Sequence, residues 1–381
     1  MSRHVTTRRN VLKLAGLSAA TVGPGGLAGA SAAGHVEVNV GFHNDAGKTA
    51  AHNAASEVNR EFDSLDAMTL ELPASAVENL SNDANVRYVE ENGAVETADD
   101  IGTLDDDYPW GVERIDADTA HAHGYTGAGT DVSIISTGID YTHPDLALNV
   151  GGGECFVSCS GGGCSTCWDD DQGQGTRVAG TVAASQSGGN VVGVAHEATL
   201  WAVKVLDSMG AGTFSDVAAG IEWAADQGHE VATLSLGAAS HSQVIEDACQ
   251  YAEWQGTLLV AAAGSDPASV GYPAAYPECI AVNATDRNDA AMHCSSSGPE
   301  IELAGPGDQI ESTAAGGGTE VYNCTSAAAP HVAGVGALVM AEGLTASQAR
   351  SRMQNTAEDI GLSPEEQGYG LVNAADAVDG L

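Results

Sequence analysis

The sequence predicts an α/β fold: a parallel β-sheet with helices on both faces, preceded by a small α+β domain. Two observations lead there. From about residue 108 onward, short apolar runs bounded by Gly and Pro alternate with longer segments of helical periodicity. Strands that are apolar on both faces belong in a parallel sheet covered on both sides. Upstream, between residues 35 and 98, shorter strand-like and helix-like segments form a unit of their own.

The first 33 residues predict an export signal. Arg8-Arg9 precede an apolar, Gly/Ala-rich run, and Ala30-Ser31-Ala32 offers a cleavage site. The paired arginines point to twin-arginine export and an extracellular protein. Pro24 and five nearby glycines disfavour a stable spanning helix, and no later stretch approaches the roughly 18 apolar residues a span needs. A soluble mature protein without a membrane span is expected.

In the 35–98 unit, His35–Val40 alternates like a strand, and Ala50–Phe62 suits a helix. Met68–Leu72 reads as a strand, Ala74–Leu80 as a second helix and Val86–Glu90 as a last strand. An acidic linker follows at 99–107. The remaining residues, 108–381, form the large domain. Val132–Ile135, Leu200–Val205, Val231–Leu236, Leu258–Ala263 and Ile280–Val282 read as buried strands; helices fit 214–227, 242–255 and 326–342. In such folds sites gather at the carboxyl ends of strands, where Ser136, Leu236 and Ser265 fall.

Composition narrows the function classes. The 381 residues include 52 acidic and 13 basic side chains, a net charge of −39. Nucleic acid and anionic membrane are poor partners for such a chain, because phosphate binding needs a basic patch. The carboxylates are spread along the chain, so they describe a solvated surface. Self-repulsion on this scale calls for screening by salt, and high-salt surroundings are the natural reading. The 48 glycines and 5% aromatics suit tight turns and a core of small residues.

Three motifs carry the chemistry. Thr325-Ser326-Ala327-Ala328-Ala329-Pro330-His331-Val332-Ala333-Gly334 places a serine at the mouth of an apolar helix. Ile134-Ile135-Ser136-Thr137-Gly138-Ile139-Asp140 and Gly173-Gln174-Gly175-Thr176-Arg177-Val178-Ala179-Gly180 are the other two. Together they resemble the nucleophile, aspartate and histidine blocks of the subtilisin-like serine proteases, the subtilases. Pro109–Val112 and Gly368–Ala374 extend the resemblance over the whole large domain. In character the acidic chain is nearest the halophilic archaeal halolysins of that family.

The resemblance assigns Ser326 to the nucleophile position, Gln174 to the catalytic histidine position and Ser136 to the catalytic aspartate position. Ser265, in Ala262-Ala263-Gly264-Ser265, stands where the family has its oxyanion asparagine. A serine hydroxyl is a poor nucleophile until a base takes its proton, and an amide is no base. Ser136 carries no charge to stabilise an imidazolium. Ser326 also suits a plain helix N-cap. The substrate groove looks better kept: Gly210-Ala211-Gly212 and Ser235-Leu236-Gly237 match the segments that sandwich a substrate as an added strand, and Ala262, Ala263 and Gly264 would line the first specificity pocket. The 35–98 unit resembles the family's inhibitor-type propeptide. A monomer is expected, its partners being extended peptide segments and its own propeptide. No cofactor is required; Asp145 matches a family calcium ligand, so a structural calcium is the one metal the resemblance suggests.

Eight cysteines in an exported chain suggest disulfides. Cys155, Cys159, Cys164 and Cys167 crowd one Gly/Ser-rich insertion as two local disulfides or a four-thiolate zinc site. Cys294 and Cys324 are candidates for a third bridge, beside the cleft. Two function classes stay open: a protease homologue without useful catalysis that holds peptides, or a working peptidase whose base is His143, His241, His293 or His331. A structural cell-surface protein is the third reading.

Overall fold

The computed structural model describes residues 34–97, 101–102, 109–159, 165–187, 189 and 191–381. The expected export segment, Cys164 and most of the acidic linker lie outside these residues. The chain divides into two compact units, residues 1–92 and 93–381.

The first unit is an antiparallel sheet in the order Glu57–Glu61, Ala67–Pro73, His35–Phe42, Val86–Glu91. Two helices, Asp45–Ala54 and Ala74–Ser81, complete it. Val38, Val40, Phe42, Met68, Leu70 and Leu72 form its core. The helix expected over Ala50–Phe62 is corrected here. It begins earlier because the Asn44 side chain accepts hydrogen bonds from the Ala46 and Gly47 amides as an N-cap. It ends at Ala54 because Glu57–Glu61 is drawn off as an edge strand beside Ala67–Pro73, a tertiary pairing that local periodicity does not report.

The second unit holds a seven-stranded sheet, all of whose pairings are parallel. Its order is Ile301–Pro306, Cys279–Thr285, Leu258–Ala262, Val231–Leu234, Asp131–Ser136, Thr199–Lys204, Val150–Cys155. The strands of its middle are buried throughout and mostly apolar, as strands covered on both faces must be. Helices Phe214–Gln227 and Gln243–Gln255 pack on one another, and Thr325–Ala341 runs through the core. That last helix is buried from Thr325 to Met340, so its sequence is apolar all round rather than on one stripe. No single helix among the described residues is long and apolar enough to cross a membrane.

The segment read as one strand, Val231–Leu236, is divided. Val231–Leu234 stays in the large sheet, whereas Leu236–Gly237 joins a separate three-stranded sheet with Ala94–Thr97 and Ala211–Thr213. Ser235 is the hinge between them, and it is fully buried.

Candidate active site

Three backbone devices bring the motif residues together. Ser136 closes the strand Asp131–Ser136, and Gln174 opens the helix Gln174–Ala183. Gly175 lets that helix start against the strand end: a β-carbon there would lie 2.0 Å from the Gly138 carbonyl oxygen. Its amide also donates to Thr137 Oγ1 at 2.9 Å. Asp170 then staples the loop, taking hydrogen bonds from the Thr137 and Thr176 hydroxyls and from the amides of Gln172, Gly173 and Thr176. Sequence reasoning passed over Asp170; its only signal was its place four residues before Gln174.

The third device is Pro330, inside the helix Thr325–Ala341. Lacking an N–H, it leaves the carbonyl of Ser326, four residues back, without its helical donor. Ser235 Oγ supplies the bond instead, at 3.1 Å. Ser326 is thereby anchored through its backbone to the segment that ends the central strand.

Hydrogen bonds join the Ser136 and Gln174 side chains to one another and to the Ser235 backbone. Ser136 Oγ donates to Gln174 Oε1 at 3.0 Å, and Gln174 Nε2 donates to the Ser235 carbonyl at 2.8 Å. Ser326 Oγ donates to the Asn323 carbonyl at 3.3 Å. Ser136, Gln174, Ser235 and Ser326 are all fully buried. Each polar atom in such a place needs a partner, and Ser136 and Gln174 complement each other as donor and acceptor. Nothing in the pair titrates near neutral pH.

The helix N-cap is Cys324 rather than Ser326, which sits at the second helical position. Cys324 has φ 76° and ψ −162°, a region that only glycine occupies without strain. Its sulfur is bonded to that of Cys294, with the α-carbons 5.9 Å apart. Ser265 is exposed, just beyond the buried strand that ends at Ala262. Ala262 and Ala263 are buried and Gly264 half-buried, with the Gly264 amide donating to Thr325 Oγ1 at 3.2 Å.

The four histidines are engaged elsewhere or exposed. His143 Nε2 meets the Gly318 carbonyl at 2.7 Å, while its Nδ1 accepts from the Asp145 amide. His241 pairs with Glu246 at 3.0 Å, and His293 is exposed. His331 Nδ1 faces the Ala327 carbonyl at 2.9 Å; complete burial lowers its pKa to about 4, so it stays uncharged.

The segments expected to form the groove are paired with the chain itself. Ala211, Gly212 and Thr213 pair antiparallel with Glu96, Val95 and Ala94. Leu236 and Gly237 pair antiparallel with Thr97 and Glu96 from the other side. Gly212 itself packs closely on the Val205 carbonyl, which a β-carbon there would meet at 2.2 Å. Gly210 turns the chain ahead of that strand with φ 73°. Ile101–Gly102, expected as part of a linker, pairs with Val321–Tyr322, just ahead of Ser326.

Of the insertion cysteines, Cys155 and Cys167 are disulfide-bonded to each other, and Cys159 is disulfide-bonded too. The four-thiolate zinc reading is corrected on this point: sulfurs joined to one another are not thiolate ligands. Asp145 is fully buried, and the Ser185 amide donates to its backbone carbonyl at 2.7 Å. No cluster of three or more His, Cys, Asp or Glu ligand atoms includes Asp145 among the described residues.

Comparison with known proteins matches residues 127–370 to the subtilase family, peptidase S8. M-protease of Shouchella clausii is 41% identical over 321 residues, covering 84% of this chain and 80% of its own. Subtilisin E of Bacillus subtilis is 39% identical over 325 residues, covering 83% and 82%. Alkaline elastase YaB of a Bacillus species is 38% identical over 327 residues, covering 85% and 82%. With the fold, the order of the motifs and these relatives in agreement, the chain belongs to the subtilase family.

Proposed function

We propose that this subtilase is an exported, salt-adapted homologue with impaired proteolysis, whose remaining capacity is to hold extended peptide segments. The observation that carries the reading is the Ser136–Gln174 pair. Ser326 stands at the nucleophile position, but the side chain at the histidine position is an amide already bonded to Ser136 and to the Ser235 carbonyl. An amide accepts no proton at ordinary pH, so the step that activates a serine has no agent there. Nor does Ser136 supply the negative charge that steadies an imidazolium. Ser265, the oxyanion position, has a shorter reach than asparagine, and a donor there is worth roughly 10²–10³ in rate.

The groove supports the binding half of the proposal. Backbone hydrogen bonds from Ala211–Thr213 and Leu236–Gly237 hold an added strand whatever its side chains, so loss of the catalytic groups leaves this affinity in place. Residues 94–97 occupy it, consistent with a propeptide in the N-terminal segment. The names of the relatives, M-protease and subtilisin E, describe proteolysis, which here survives as ancestry of the scaffold.

Reaction with a fluorophosphonate probe in high salt tests the reading. Wild type should label no faster than Ser326→Ala. Rapid stoichiometric labelling that disappears in Ser326→Ala would establish an activated serine and overturn it.

A further inference from the structure

Cys249 and Cys279 lie outside the site and outside every disulfide described above. Cys249 is on the helix Gln243–Gln255 and Cys279 begins the strand Cys279–Thr285, 30 residues later. Both are free thiols, 0% and 2% exposed, and their sulfurs are 3.8 Å apart in a thiol–thiol hydrogen bond. Bonded sulfurs are about 2.05 Å apart, so the two sulfurs stand within about 2 Å of bonding distance. The surroundings hold the pair in place. Arg350 Nη2 donates to the Cys279 carbonyl at 3.1 Å and is ion-paired to Glu302, which fixes the start of the strand.

We infer that Cys249 and Cys279 are a site of oxidative modification, forming an intramolecular disulfide when the chain folds in the presence of a disulfide oxidant. The oxidant is a small-molecule disulfide or a thiol–disulfide carrier protein. One cysteine thiolate attacks a sulfur of that disulfide, forming a mixed disulfide and releasing one thiolate. The second cysteine then attacks the protein-bound sulfur of the mixed disulfide, and the second small thiol leaves. Two protein thiols are oxidised, one external disulfide is reduced to two thiols, and the two cysteine protons pass to the departing thiolates.

The timing follows from burial. In the folded molecule the hydrogen bond shared with Cys279, complete burial and nearby carboxylates all raise the Cys249 pKa, so the thiolate is scarce. No oxidant reaches sulfurs this enclosed. The bond therefore forms before the helix seals over the strand, and the folded protein protects whichever state it trapped. The cross-link would close a 30-residue loop and constrain the unfolded chain accordingly.

The test refolds the full chain from the reduced, denatured state in high salt, with and without a mixture of reduced and oxidised glutathione. Free thiols are then alkylated in denaturant without reductant, and the digest is mapped. With the redox couple, the expected result is a Cys249–Cys279 cross-linked peptide and little alkylation of either residue. Full alkylation of both, while Cys294–Cys324 is recovered cross-linked, would overturn the proposal. A second readout compares wild type with Cys249→Ala/Cys279→Ala by thermal unfolding of both preparations. The Tm gap should be wider by roughly 5–10 °C in the oxidised preparations than in the reduced ones. An equal gap in both would also count against the cross-link.

Discussion

At the scale of single residues, Ser136 and Gln174 work as a matched pair. A hydroxyl donates to an amide oxygen, the amide nitrogen donates to the Ser235 carbonyl, and no charge is buried. Replacing one member leaves the other without its partner in a fully buried place, and a lone change is correspondingly poor chemistry. Gln174→His introduces an imidazole with a hydroxyl, not a carboxylate, behind it; a triad histidine without its carboxylate loses about 10⁴ in turnover. The triple variant Ser136→Asp, Gln174→His, Ser265→Asn is therefore expected to acquire measurable peptidase activity on a chromogenic peptide, and Gln174→His alone almost none. A folded triple variant that stays inert would mean that more than the chemical groups is missing. The strained backbone at Cys324, two residues before Ser326, then becomes the first suspect.

Among the elements, the short strand Ala94–Thr97 has the largest consequence. It lies between Ala211–Thr213 and Leu236–Gly237, with Val95 only 1% exposed, and Ile101–Gly102 pairs with Val321–Tyr322 just ahead of the motif serine. The chain thus engages the large unit on both sides of residues 98–100. In a working member of the family this junction would be cut by the enzyme's own triad; on the proposed reading this chain has no base with which to cut it. Protein secreted from a protease-deficient host should therefore keep the residues from about 34 onward covalently attached, as read by intact mass. Covalent attachment holds the strand at an effective concentration of roughly mM, so a binding role in trans needs another protease first. Spontaneous appearance of a form beginning near Asp100–Trp110, abolished by Ser326→Ala, would show self-processing and contradict the proposed impairment.

For the whole molecule, charge outweighs every other feature. A net charge of −39 on 381 residues puts many carboxylates within reach of one another. The few basic groups are heavily used: Lys204 is fully buried, bonded to Asp171 at 2.6 Å and to the carbonyls of Thr137 and Leu206. Arg177 is paired with Glu320 at 2.9 Å. Salt shortens the range of the remaining repulsion from about 10 Å at 0.1 M to about 3 Å at 1 M. The thermal unfolding midpoint should accordingly rise by several degrees between 0.1 M and 2 M NaCl at neutral pH. A midpoint that is flat or falls over that range would remove the case for salt adaptation.

By itself the sequence determined the architecture of the large unit and the residues that stand in its three motifs. Buried parallel strands are continuous apolar runs, and capped helices carry their own periodicity, so segments such as Leu258–Ala262 and Phe214–Gln227 are legible from neighbours in the chain. That Ser136 and Gln174 stand in two of those motifs was legible too, because motif spacing needs no coordinates. Only the tertiary structure decided what lies between distant segments. The Glu57–Glu61 strand, the division of Val231–Leu236 at Ser235, the seat of Ala94–Thr97 between Ala211–Thr213 and Leu236–Gly237, and the meeting of Cys249 with Cys279 all depend on partners 7 to 141 residues away. Strand pairing and side-chain encounter are set by the packing of the whole core, and a local pattern carries no record of which distant segment will complete it.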